Sequence, residues 1–198
     1  NINLVTATQY LPSILNALDL VKNQLEIPVV YNSSGYEKPE TIRLLKGYVD
    51  IYLPDLKYFS SELSRKYSKA EDYFEVASCA IKLMIEQTGT PVFDSDGMLQ
   101  KGVIVRHLVL PNCRKDSISL LHWLKETLPD KHYLISLLSQ YTPFYNSHKY
   151  PELNRRITTY EYESILKEAI SLGLVEGFMQ EKSSAKEEYT PPFNLEGL

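Results

Sequence analysis

The sequence predicts an α/β fold on parallel strands, curled into a barrel or a doubly wound sheet, and two observations carry that prediction. Strand-like and helix-like segments alternate about six times along the 198 residues. The strands are near-continuously apolar, as strands covered by helices on both faces are. Right-handed crossovers turn such a series into a barrel or an open wound sheet. The chain opens directly on a strand. A complete eightfold barrel takes about 250 residues, so the series reads as the later part of a longer barrel.

The elements follow in order. "INLVT", residues 2–6, is a strand, and "LPSILNALDLVKNQL" carries Leu11, Ile14, Leu18, Val21 and Leu25 at helical spacing. "IPVVYNSSGY" is a strand ending in a polar turn from Asn32 to Gly35, and "KPETIRLLKG" is a short helix with Pro39 near its start. "YVDIYLPDLKY" is a third strand, followed by a helical turn around residues 62–67. A longer helix then places Tyr73, Val76, Ala77, Ala80, Ile81 and Met84 on one face, with Cys79 beside it as a packing residue. "DSDGMLQKG" is a turn cluster and "VIVRHLVLP" a strand, after which Asp116 caps a helix bearing Leu120, Leu121, Leu124 and Leu128. "HYLISLLSQYTP" is a strand, residues 144–157 are a long polar loop, and Thr158 with Glu161 forms a capping box for a helix. "LVEGFMQE" is a last strand, so the barrel domain is expected over 1–181 and an irregular tail over 182–198.

Composition excludes several classes. A net charge of −4 and the lack of a basic stripe among the tyrosines argue against a nucleic-acid binder. No apolar run reaches the roughly 18 residues of a membrane helix, so no membrane partner is expected. Cys79 and Cys113 are too few and too far apart for a disulfide framework or metal knuckle, as in a reduced cytoplasmic protein. The histidines have no metal-ligand spacing and no phosphate loop or H-E-x-x-H is present, so no metal ligands are assigned.

Polar residues fall after the strands: Thr6, Thr8 and Gln9; Asn32, Ser33 and Ser34; Asp55 and Lys57; Ser139, Gln140 and Tyr141; Gln180 and Glu181. In a parallel α/β fold the carboxyl ends of the strands share one face, where ligands bind. Asp55 and Lys57 are two apart and point the same way in an extended chain; a surface ion pair is the plain alternative. Arg106, inside "VIVRHLVL", must face a polar interior or a carboxylate, because a buried unpaired charge is costly. His107 should face the other side as a packed, hydrogen-bonded residue.

"NINLVTATQY", "IPVVYNSSGYE", "GYVDIYLPDLKY", "VIVRHLVLP", "SLLSQYTP" and "YPELNRRIT" together resemble the radical S-adenosylmethionine proteins related to pyruvate formate-lyase activating enzyme. The resemblance implies a partial (β/α)6-type TIM barrel, here without its first β/α unit. It also implies S-adenosylmethionine and a [4Fe–4S] cluster as cofactors, with reductive cleavage giving a 5′-deoxyadenosyl radical that abstracts hydrogen. By position, the family's amine-binding turn falls on Thr6, Thr8 and Gln9, and its ribose turn on Asn32 and Ser34. Its D-L-K falls on Asp55 and Lys57, its strand arginine on Arg106, and its late histidine near Gln140 and Tyr141. Catalytic residues are not assigned. The cluster motif is absent, so the cluster is expected only in an intact parent, and this chain is expected to be inactive alone. A protein substrate is admitted, and either homodimerisation through an exposed barrel edge or a poorly ordered edge is expected. Two other functions compete: an aldolase-type lyase with a Schiff base on Lys57, and a non-catalytic protein-interaction domain.

Overall fold

The computed structural model describes residues 1–175 and 177–179; the expected tail, Gln180 and Glu181 lie outside the described residues. Strands β1 (Ile2–Val5), β2 (Val29–Ser33), β3 (Ile51–Pro54), β4 (Val92–Phe93), β5 (Leu99–Leu108), β6 (Leu134–Leu138) and β7 (Gly177–Met179) form one sheet, ordered β1-β2-β3-β5-β6-β7 with β4 on β5. All neighbours on that path are parallel and follow chain order, the arrangement of a partial β/α barrel. Helices α1 (Leu11–Val21), α2 (Pro39–Leu44), α3 (Ser61–Ser68), α4 (Tyr73–Thr88), α5 (Arg114–Thr127) and α6 (Thr159–Ser171) supply the connections.

Alternate residues divide the sheet into two unlike faces. Tyr31, Tyr52 and Val103 lie side by side in register, and all three are fully buried. This face meets the helices: the Tyr52 hydroxyl donates to Gln87 on α4 at 2.7 Å, and His107 reaches Ser117 on α5 at 2.9 Å. Ala77, Ala80, Ile81 and Met84 of α4 and Leu120, Leu121 and Leu124 of α5 complete the core there. Each aliphatic side chain removed from water on this face contributes about 1.5–3 kcal/mol.

The other, concave face is half open. Val5, Asn32 and Leu53 share a register row; Val5 is 59% exposed, and Leu53, Ile104 and Leu138 are half-buried. Burial on this face changes along the strands: Val30, Ile51 and Leu134, toward the strand starts, are buried, whereas burial alternates along β5 after Val103 and the residues nearer the carboxyl ends keep contact with solvent.

Four local expectations are corrected. Of the turn cluster expected over 94–102, only 94–98 turn, while 99–102 already belong to β5 and form a hairpin with β4, with Asp94 accepting from the Asp96 and Met98 amides and from the Gln100 side chain. Asp116 is not the cap of α5, whose N-cap is Cys113; its carboxylate instead accepts from the Phe59 and Ser60 amides at 2.9 and 2.7 Å. Cys79 is exposed, not packed. The polar loop holds two short 3-10 turns, Tyr145–Lys149 and Pro151–Leu153. The Thr158–Glu161 capping box is present, and Glu161 also takes two bonds from Arg155 and one from the Asn112 amide.

Candidate functional site

Strand register brings the central residues together. Past the end of β3, Asp55 pairs in parallel with Arg106 through a backbone bridge, and the Leu56 amide donates to the Arg106 carbonyl at 2.8 Å. Side chains so paired lie on one face, and their charges meet: Arg106 Nη2 is 2.6 Å from Asp55 Oδ1. The same nitrogen donates to Asn32 Oδ1 at 2.7 Å. Lys57 Nζ lies 3.5 Å from Asp55 Oδ2. Asn32, Asp55, Lys57 and Arg106 thus form one cluster at the carboxyl ends of β2, β3 and β5. The Asp55 and Arg106 side chains are 23% and 25% exposed, open enough to meet a ligand and shielded enough for charge to count. Arg106 Nε is buried and has no partner among the described residues. A buried donor without an acceptor is costly and rare.

The cluster is held from behind. Gly35 has φ +77°, and a Cβ there would stand 2.1 Å from the Asp55 carbonyl oxygen, so only glycine lets the turn after β2 pass this close. The buried Tyr73 hydroxyl lies 2.9 Å from both the Ser34 and Asp55 carbonyl oxygens, to which it donates, and accepts from the Lys57 amide at 3.1 Å. Burial raises the Tyr73 pKa well above the ordinary value, keeping the phenol a donor. Tyr36 stacks on the same ring, at 5.9 Å. Tyr73 reads from sequence as a core residue of its helix; nothing in the spacing shows that its hydroxyl ties two strand ends together.

The remaining candidates are not all in the cluster. Thr6 adopts φ 49°, and its amide extends the sheet ladder to the Asn32 carbonyl at 2.9 Å. Beyond that kink the Thr8 hydroxyl donates to Glu37 Oε1 at 2.8 Å and lies 2.9 Å from the Tyr31 hydroxyl. Tyr31 belongs to the helix-covered face, so Thr8 ties the loops after β1 and β2 together on that side. Burial lifts the Tyr31 phenol to about 12. Gln9 is exposed in the turn Thr8–Tyr10. The Ser34 hydroxyl accepts from the Tyr36 amide at 3.4 Å. Gln140 is exposed past β6, and the Tyr141 hydroxyl donates to the Leu153 carbonyl at 2.9 Å, bracing the loop after β6.

His107 is the packed residue expected of it. Nδ1 sits 2.7 Å from the Leu56 carbonyl, which can only accept, so Nδ1 carries the proton and Nε2 accepts from Ser117. Desolvation lowers its pKa below the ordinary value. Among the described residues no group of three or more His, Cys, Asp or Glu could hold a metal, and no helix is long and apolar enough to cross a membrane.

No family model matches the chain. It is 34% identical over 171 residues to an uncharacterised protein of Methanocaldococcus jannaschii; the match takes in 84% of this chain and 45% of that protein, so the chain spans about half the length of its curated relative. Its fold is shared with a domain of pyruvate-formate lyase-activating enzyme from Bacteroides vulgatus, at TM-score 0.62 and 15% identity, over 91% of this chain and 98% of that one.

Proposed function

We propose that this chain is the cofactor-holding part of a radical S-adenosylmethionine barrel of the activating-enzyme kind, and that Asn32, Asp55, Lys57 and Arg106 grip S-adenosylmethionine. The observation that carries the reading is the convergence of these four side chains, from three strands, at the carboxyl rim. The fold shared with an activating-enzyme domain supports it.

The residues fit the cofactor's chemistry. Arg106 Nε is a buried donor that lacks an acceptor among the described residues, and a carboxylate or ribose hydroxyl supplies one. Asp55, flanked by Arg106 and Lys57, is an oriented acceptor for an amine or hydroxyl. Asn32 holds the Arg106 guanidinium in place through its Oδ1. Bound S-adenosylmethionine would supply hydrogen-abstracting chemistry when an external one-electron donor reduces its sulfonium, with the C5′–S bond broken and methionine released. The described residues do not fit an iron–sulfur cluster: Cys79 is exposed on α4 and Cys113 is buried at the start of α5, its thiol pushed up to about 11 by burial and away from the thiolate a cluster needs. None is assigned to it, and the chain alone is proposed to bind the cofactor without cleaving it.

Isothermal titration of S-adenosylmethionine into the chain tests this. Arg106→Ala should weaken binding by about tenfold or more, as loss of a charge-assisted pair does. Saturable binding that Arg106→Ala leaves unchanged, or none at all, contradicts the reading. The Schiff-base alternative is disfavoured by the ion pair to Lys57, which is 39% exposed and not desolvated in an apolar pocket. Borohydride trapping of a carbonyl substrate on Lys57 would revive it.

A further inference from the structure

Arg106 on β5 stands in register with Ser136 on β6. Parallel partners in register present their side chains to one face. Ser136 therefore faces the concave side with Arg106, while Ile135 and Leu137 turn to the core under the helices. β6 reads "LISLL", and Ser136 is its one polar side chain. The rows on either side are apolar: Ile104 with Leu134 toward the strand starts, and Leu108 with Leu138 toward the carboxyl ends. Ser136 is 7% exposed. Its hydroxyl makes no hydrogen bond among the described residues, and it is not sealed from the concave side. A hydroxyl set in an apolar strand costs free energy unless something bonds to it. Alanine would fill the same place without that cost.

From the register, the unused hydroxyl and its place beside the charged cluster we infer that Ser136 is a further ligand contact, whose hydroxyl bonds to the molecule gripped by Asp55, Lys57 and Arg106. This rests on the S-adenosylmethionine reading and adds a length requirement to it. Asp55, Arg106 and Ser136 belong to three successive strands of the sheet, spaced about 4.8 Å apart. A ligand that touches the first and the last bridges about 10 Å. A small ion cannot do that; an amino acid joined to a nucleoside can, with polar groups at both ends. The site thus selects by span as well as by charge.

Isothermal titration of S-adenosylmethionine into the wild-type chain and three variants, with Tm measured alongside, tests the contact. Ser136→Ala and Ser136→Val should each weaken binding about three- to tenfold, as loss of a neutral hydrogen bond does. Ser136→Thr keeps the hydroxyl and matches valine in size, so it should bind more tightly than Ser136→Val by a similar factor. The Tm of Ser136→Ala should not fall, because the lost hydroxyl has no protein partner among the described residues. Affinity that drops while Tm holds separates a ligand contact from a packing role. Wild-type affinity in Ser136→Ala, with Arg106→Ala weakened, overturns the contact and leaves the S-adenosylmethionine reading standing. No saturable binding by the wild-type chain overturns both.

Discussion

The two faces of one sheet use the same strands for opposite purposes. Tyr31, Tyr52, Val105, His107 and Leu137 face the helices and are almost wholly buried, with polar atoms paired inside the fold. Their immediate neighbours Asn32, Leu53, Ile104 and Arg106 face the concave side and keep contact with solvent. A one-residue step along β5 thus separates a neutral, locked histidine from an arginine with an unused donor. One face is closed by the helices and the other presents the charged cluster proposed to hold the cofactor, and substitutions on the two should fail differently.

The largest effect is expected on the covered face. Leu137→Ala should cost about 2–5 kcal/mol, and Leu53→Ala on the concave face less than half as much, because a half-exposed side chain has less to lose; urea denaturation of the pair measures it. Equal losses would mean that the concave face is covered too. Gly35→Ala comes next. The added methyl meets the Asp55 carbonyl, so the turn must move, at about 3 kcal/mol in stability together with loss of S-adenosylmethionine affinity. Retained affinity would show that the turn does not set the Asp55 position.

A pH effect follows from His107. Its folded pKa is depressed below 6.5, so the unfolded chain takes up the proton first. Its contribution is fully present above pH 6.5 and is lost as pH falls below that toward the folded value, with a limiting slope of about 1.4 kcal/mol per pH unit. His107→Gln should remove that slope, read from denaturation midpoints at pH 5 to 7. The smallest change is Lys57→Ala, whose half-exposed 3.5 Å pair should affect stability by less than about 1 kcal/mol. A larger loss would mean that the concave face is load-carrying after all.

Strand–helix alternation, helix placement and the gathering of Asp55, Lys57 and Arg106 at one rim are legible from period and parallel topology, whereas the choice of barrel order over a doubly wound sheet comes only with the family resemblance. The capping box and the packed His107 follow from equally local rules. What escapes depends on tertiary contacts. Val92–Phe93 is too short to read as a strand and forms because Lys101 and Leu99 lie opposite it. Thr8 follows a strand as the site residues do, but the left-handed Thr6 turns it toward Glu37. Tyr73 and Cys79 sit on one helix, and only packing decides that the first hydroxyl binds two strand ends while the second side chain meets solvent. Continuous apolar strands cannot tell a covered face from an open one.

Hydrogen exchange with and without saturating S-adenosylmethionine tests the central claim most directly. The prediction is slowing by about tenfold or more at the amides of residues 32–35, 55–57 and 106, with helices α4 and α5 unchanged. Protection that appears only on the helix side, or none at the strand ends despite bound cofactor, would contradict it.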